Sequence, residues 1–514
     1  MKPIPRRKFI QTTALAGGAL IFLPALKACK SPDSLLAGNY FLREFGIDET
    51  LCRKLLAKAL SKGGDFADLY FEYTVSNYLG LEDGKVTQSY GDISLGVGIR
   101  TVKGDQIGYG FTQDLTEESM LSAAATAATI SDMNATSAGS SFSSLEKGNY
   151  YPMPPDFNGI PGASKLPLLQ SVNEKCLALS PEIVNVNAGF QSGAKRILIV
   201  TSDGFLAEDL IPSGYLYANV VAERNGRREQ ASWDLGGRRD ISFYTEEIVD
   251  EIAVKSVNDA LKLFDAIQPP AGEMPVVLGP GVTGVLLHEA IGHGMEADFN
   301  RKKTSTYSTM LGKKVAEPFV NIIDDGTNIN LNGSINVDDE GTPGKKTILV
   351  ENGILTSYLH DKISAKYYGV EPTGNGRRQD FQNYPVPRMR NTYMLGGEDT
   401  AADVIKKAGN GIYVENVSNG QVKIGEGDFA FYVSQGRMIE NGKLTAPIKD
   451  VNIMGNGPKM LTNIIMAAND LEMHQGGGGY CGKDGQAVQV SFGMPTCLVK
   501  SLTVGGTQQK GGRS

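Results

Sequence analysis

Apolar residues recur at helical spacing over residues 48–62, and the chain then changes to the two-residue period of half-buried strands at 67–75, 78–90 and 92–102. Asp83-Gly84 and Lys103-Gly104-Asp105 supply the turn chemistry between them. Helical spacing returns at 115–131, near 166–179 and at about 244–264, with alternating segments across 183–225. From Ala135 to Gly162, Ser, Gly and Pro dominate, which predicts an irregular surface excursion. Gln268-Pro269-Pro270-Ala271-Gly272 is the expected domain boundary. Beyond it come a short buried strand at Pro275–Leu278, a Gly279-Pro280-Gly281 turn, a helix, and short strands at 318–323, 345–350 and 354–360. The expected fold class is α+β, with a mixed α/β N-terminal domain over 45–267 and a β-rich C-terminal domain over 268–514.

A chain of 514 residues exceeds one hydrophobic core, in keeping with that division. The 62 glycines fit a turn-rich, sheet-rich architecture, and a net charge of -7 offers no basic footprint for nucleic acid. Residues 1–29 differ from the rest: Lys2, Arg6, Arg7 and Lys8 precede an apolar run broken by Gly17, Gly18 and Pro24. This reads as an export signal of twin-arginine type, too interrupted for a permanent membrane helix. Leu26-Lys27-Ala28-Cys29 resembles a lipoprotein cleavage box, so two fates stay open: a lipid anchor at Cys29, or simple cleavage and a free protein in the periplasm or cell envelope. Residues 30–44 read as a linker. Cys52 and Cys176 sit in apolar helical stretches and are expected as buried thiols, and no disulfide framework is legible.

The chemistry concentrates in His288-Glu289-Ala290-Ile291-Gly292-His293, which holds two of only four histidines. Imidazoles are common metal ligands, and a carboxylate between them suits a general base. The familiar protease spacing of four places both rings on one helical face, whereas here it is five. At ~100° per residue the two positions diverge by ~140° on a regular helix. Convergence therefore requires a wider local turn or helix termination near Gly292; the competing reading is an ordinary helix with a chance pattern.

Catalytic zinc usually takes three protein ligands. Composition leaves the third open among His360, His474, Glu296, Asp298 and Cys481, the last lying among glycines and otherwise a free thiol. Glu296 and Asp298 are also placed to hydrogen-bond the motif histidines, and His474 has a structural alternative. Arg377 and Arg378 could grip a peptide carboxylate, or belong to a solvated turn or a structural ion pair. Asp338-Asp339-Glu340 reads better as a charged loop than as a second metal cluster. Trp233 is expected in the core or at an interface.

Taken together, Leu81-Glu82-Asp83-Gly84, Gly96-Val97-Gly98, the motif with Gly294, Asp338–Pro343, Pro372-Thr373-Gly374-Asn375-Gly376-Arg377-Arg378, Pro387-Arg388-Met389, Asn391-Thr392-Tyr393, Cys481-Gly482-Lys483-Asp484-Gly485-Gln486 and Leu502–Thr507 resemble the TldD/PmbA metallopeptidases, in the TldD-type form that keeps the metal motif. The resemblance implies a divalent metal held by His288, His293 and Cys481, with Glu289 as general base. Zinc suits this donor set, and iron is compatible with it. It further implies hydrolysis of small or unfolded peptides bound extended by strand addition, and a dimer with a second copy or with a paralogue lacking the motif. The alternative is a non-catalytic peptide-binding or scaffold subunit using the same cleft. The export signal departs from the cytoplasmic members of the family.

Overall fold

The computed structural model describes residues 38–137, 141–423, 426–476 and 479–506. The signal-like segment, Cys29 and the first part of the expected linker lie outside the described residues.

One sheet organises the first half, in the order Gln106–Thr112, Lys85–Lys103, Phe66–Glu82, Ile183–Thr201, Phe205–Arg224, with Arg227–Gly237 pairing the last. The three strands expected between 67 and 102 are two, because Asn77 and Gly91, which read as interruptions, pair opposite each other and the ladder continues through them. Asp83 and Gly84 turn the hairpin with φ of 46° and 76°, the left-handed pair that matches strand twist. Arg227–Gly237 was not expected; Asn225-Gly226 makes the same kind of turn before it, with φ of 53° and 78°.

Alternation gives this sheet two apolar faces. On one, Leu69, Phe71, Val97 and Ile99 receive the helices Glu49–Ala59 and Glu117–Ala128. Further along the same face, Val186, Phe190, Leu216 and Val220 receive Gly162–Leu179 and Glu246–Lys262. On the other, Tyr70, Ile197 and Ile199 pack against Val337 and Phe381 of the second half. The predicted excursion is largely irregular, with Ser143–Ser144 its one short strand among the described residues.

In the second half, strands Gly411–Lys423, Gly272–Leu278, Cys497–Gly506, Val451–Asn456 and Asp428–Glu440 form a sheet that closes because the first and last also pair. A second sheet runs Ile354–Leu355, Lys346–Glu351, Ile322–Asp325, Asn391–Met394, Ser491–Met494 and Glu472–Met473. Two expected strands are shorter than predicted. Residues 318–321 turn instead, with the Val320 N–H bonded to Glu317 O at 3.0 Å. The 354–360 segment leaves the sheet after Leu355, and its Leu359 receives the motif segment through the Ala297 N–H at 2.9 Å. Ala290 and Ile291 pack in the core shared with Val276, Leu278, Val414 and Phe431, so the motif is seated between the two sheets.

Candidate metal centre

The motif helix is regular only over Gly284–Leu287; His288–Gly292 is a π-turn and His293–Met295 a tight 3₁₀ turn. A π-turn advances more residues per revolution than an α-turn, which compensates a spacing of five. The two imidazole centroids come to 5.3 Å, at right angles, on one side of the chain.

Close backbone approaches hold this path. A Cβ on Gly457 would stand 1.8 Å from Ala290 O within the π-turn, and one on Gly292 would stand 2.1 Å from the Met389 sulfur. Gly292 has ordinary right-handed helical angles, so it serves by lacking a side chain rather than by special backbone freedom.

Cys481 lies on Tyr480–Lys483, paired to Gln486–Gln489, with its partner Val488 directly across. Its sulfur is 3.5 Å from His293 Nε2. The donor atoms of His288, His293 and Cys481 all lie within 4.8 Å of one another and all three residues are buried. Arg388 donates to the Cys481 carbonyl and so fixes the strand from behind. His360 and His474 stand apart from this cluster: His360 packs against Tyr358 and Tyr368, where burial depresses its pKa to about 4, and His474 stacks on Phe492 at 4.9 Å.

Glu296 and Asp298 divide the role expected of both. Glu296 Oε2 meets His293 Nδ1 at 2.9 Å, whereas Asp298 pairs with Lys483 at 2.8 Å and touches neither motif histidine. Lys483 also reaches Glu296 at 3.1 Å. Sequence reasoning passed over Lys483, although its place two residues from Cys481 on a strand puts both side chains on one face. Burial disfavours the Glu296 carboxylate, but Lys483 and His293 outweigh it and hold it down at about 2. Burial likewise opposes the His293 cation, and Glu296 and Cys481 overcome it, raising the ring well above its ordinary value. The Cys481 thiol is pushed up by burial and pulled down further by His293 and His288, to well below the usual thiol range. The pocket therefore favours a thiolate, the ligand form of cysteine.

His288 is buried, and the Cys481 sulfur is the group its ring meets, with no second hydrogen-bonding partner among the described residues. A cation shared with that sulfur would satisfy the imidazole. With His293 Nε2 turned toward the thiolate, the residues present fit a divalent metal.

Of the alternatives for Arg377 and Arg378, burial excludes the solvated turn: Arg378 forms the structural ion pair, with Asp68 at 3.2 Å, and Arg377 donates to Met389 O and Gln489 O. Asp338-Asp339-Glu340 is a charged loop, as expected, but a buried one: Asp338 and Glu340 are 1% and 0% exposed. Asp338 accepts backbone N–H bonds from Glu340, Thr342 and Gly376, and Glu340 pairs with Arg100 of the first sheet at 2.7 Å.

A cavity of about 950 Å³ opens beside the cluster, lined among others by Trp233, His288, Glu289, His474, Tyr480 and Phe492. Glu289 keeps 27% of its side chain exposed there, its carboxylate 3.7 Å from His293 Nε2. An α+β fold thus carries a buried His–His–Cys donor set able to hold a metal, with a carboxylate facing the adjoining cleft.

Models of the PmbA/TldA metallopeptidase domain 1, central domain and C-terminal domain match residues 67–131, 155–264 and 271–506. The metalloprotease TldD homolog of Buchnera aphidicola from Acyrthosiphon pisum is 39% identical over 469 residues, covering 89% of this chain and 95% of its own. That of Haemophilus influenzae is 38% identical over 450 residues, covering 86% and 93%. A Thermotoga maritima structure named for modulation of a DNA gyrase shares the fold with a TM-score of 0.71 at 23% identity, over 89% of this chain and all of that one. The chain belongs to the PmbA/TldD metallopeptidase family.

Proposed function

We propose that this protein hydrolyses peptide bonds of small or unfolded peptides, with His288, His293 and Cys481 holding a divalent metal and Glu289 acting as general base. The observation that carries this reading is the placement of Glu289: it faces the cleft while the three donors beside it are buried. When bound, the metal supplies Lewis-acid polarisation of the scissile carbonyl and acidification of water. Glu289 takes the proton from the attacking water and delivers it to the departing amine. Two imidazoles and a thiolate favour zinc, with iron as the alternative.

The cleft also suits an extended peptide. Arg227–Gly237 pairs on one side with Phe205–Arg224, and its residues from Arg228 to Asp234 line the cavity. Among the described residues its other edge is met by main chain only near its end, where Gln475 O accepts the Gly236 N–H at 2.7 Å. Main-chain pairing along such an edge binds peptides with little sequence selectivity. The same reading includes a dimer with a second copy or a motif-lacking paralogue, and action in the cell envelope after export through residues 1–29.

Cleavage of an unstructured peptide is measured for wild type and Glu289→Gln, with and without chelator, in the presence of any copurifying partner. Loss of hydrolysis by ~10²–10⁴-fold in the variant, with metal content retained, is expected. Equal hydrolysis by both proteins refutes the general base, and peptide binding without hydrolysis by either metal-replete protein supports the scaffold alternative. Sedimentation gives the assembly state, and fractionation of an Arg6→Lys/Arg7→Lys variant tests the export route.

A further inference from the structure

Beside the Tyr480–Gln489 hairpin lies a second cavity, of about 250 Å³, between the first sheet and the C-terminal half. Its charged lining is Lys195, Arg238, Arg377 and Arg378 against Asp338 and Asp339. Most of these charges already have partners. Asp338 accepts three backbone N–H groups and Asp339 accepts the Arg378 N–H. Lys195 pairs with Glu72, and Arg378 with Asp68.

Arg238 and Arg377 differ. Each is only 5% exposed, and among the described residues neither forms a direct ion pair, with Asp339 acting on both and Asp209 on Arg238 from farther off. Arg238 donates to Pro212 O and Gln489 Oε1, Arg377 to Met389 O and Gln489 O, and Arg238 Nε has no acceptor. Two guanidinium groups thus flank one residue, Gln489, in a setting where burial outweighs the pull of Asp339 and Asp209 and disfavours both cations. The planar fork of arginine is suited to a carboxylate at such a place.

The position relative to the metal centre gives the arrangement a use. Tyr480 lines both this cavity and the large cleft, Gln489 pairs with Tyr480, and Val488 pairs with Cys481. Gln489, which both arginines contact, therefore sits on the same hairpin as Cys481.

We infer that this cavity is a carboxylate subsite, which receives the C-terminal carboxylate of a peptide whose chain passes Tyr480 from the metal cleft. The inference rests on the peptidase reading and narrows its substrate class to peptides with a free C terminus near the bond that is cut.

The test compares one peptide as free acid and as C-terminal amide, with a third form amidated but ending in glutamate. Binding to the metal-loaded Glu289→Gln protein is measured by calorimetry, and hydrolysis by wild type in parallel. The free acid is expected to bind about tenfold more tightly than the amide, and Arg238→Gln to abolish that difference while Arg238→Lys retains part of it. Equal binding of acid and amide overturns the subsite, as does an unchanged preference in Arg238→Gln. Tight binding of the glutamate-ended amide overturns the assignment to the C terminus. Acid-selective binding without hydrolysis by wild type would instead defeat the peptidase reading and leave the subsite standing.

Discussion

Glu296 Oε2 lies 2.9 Å from His293 Nδ1, and Lys483 holds the same oxygen at 3.1 Å from the other side. The carboxylate fixes the ring so that Nε2 is turned toward the Cys481 sulfur. Carboxylates in this position typically account for 10–100-fold in metal affinity. Glu296→Ala is therefore expected to raise the metal Kd by about that factor, read by competition with a chromophoric chelator. Unchanged affinity would remove Glu296 from the support of the centre.

The π-turn that brings His288 to His293 leans on Gly457. A methyl group there would meet a backbone oxygen, Ala290 O, at 1.8 Å, and backbone has no rotamer by which to yield. Gly457→Ala is expected to displace the π-turn, costing about 1–3 kcal/mol and lowering metal content together with Tm. An intact metal stoichiometry with unaltered Tm would show that the turn forms without this constraint.

The need for a widened turn was legible from the spacing of His288 and His293, because five residues do not superpose on one face of an α-helix. What supports the turn was not legible, since Gly457 and Met389 are remote in sequence. The same limit explains Arg377 and Arg378: as residues in a Gly-rich turn they look solvent-exposed, and only the packing of the two halves buries them. Arg227–Gly237 illustrates a different failure. Asn225-Gly226 is a strong hairpin signal, but the charged run Arg227–Glu229 obscured the strand beyond it. The long hairpin was divided by Asn77 and Gly91, residues unfavourable to strands that the ladder accommodates by setting them opposite each other.

Asp361 caps the helix Lys362–Tyr368 by accepting the Ser364 N–H, yet it is buried beside Glu340. Burial first, and Glu340 second, raise its pKa from 3.8 to about 6. The folded state consequently retains a proton that the unfolded chain releases between about pH 4 and 6, so this group's stabilising contribution is lost as pH rises through that window. Asn keeps the cap without the ionisation. Asp361→Asn is expected to be more stable than wild type at pH 8, by about 3 kcal/mol, and to flatten the decline over the window. A variant whose stability follows the wild-type pH profile would place the titration elsewhere.

Arg100 joins the halves of the molecule: it donates to Asp68 at 2.6 Å within its own sheet and to Glu340 at 2.7 Å from the C-terminal half, all three fully buried. Truncating one member of such a network strands its partners without countercharge, a loss of about 3–5 kcal/mol, whereas removing charges together costs less. Asp68 would retain Arg378, so the stranded group in Arg100→Met is Glu340. Glu340 also accepts the Lys362 N–H at 2.7 Å, a bond that glutamine can preserve. Arg100→Met is accordingly expected to destabilise strongly, and Arg100→Met/Glu340→Gln to recover part of the loss in denaturant titrations. Additive losses in the double variant would mean that Arg100 acts through its packing, with the buried charge pair contributing little to the union of the two halves.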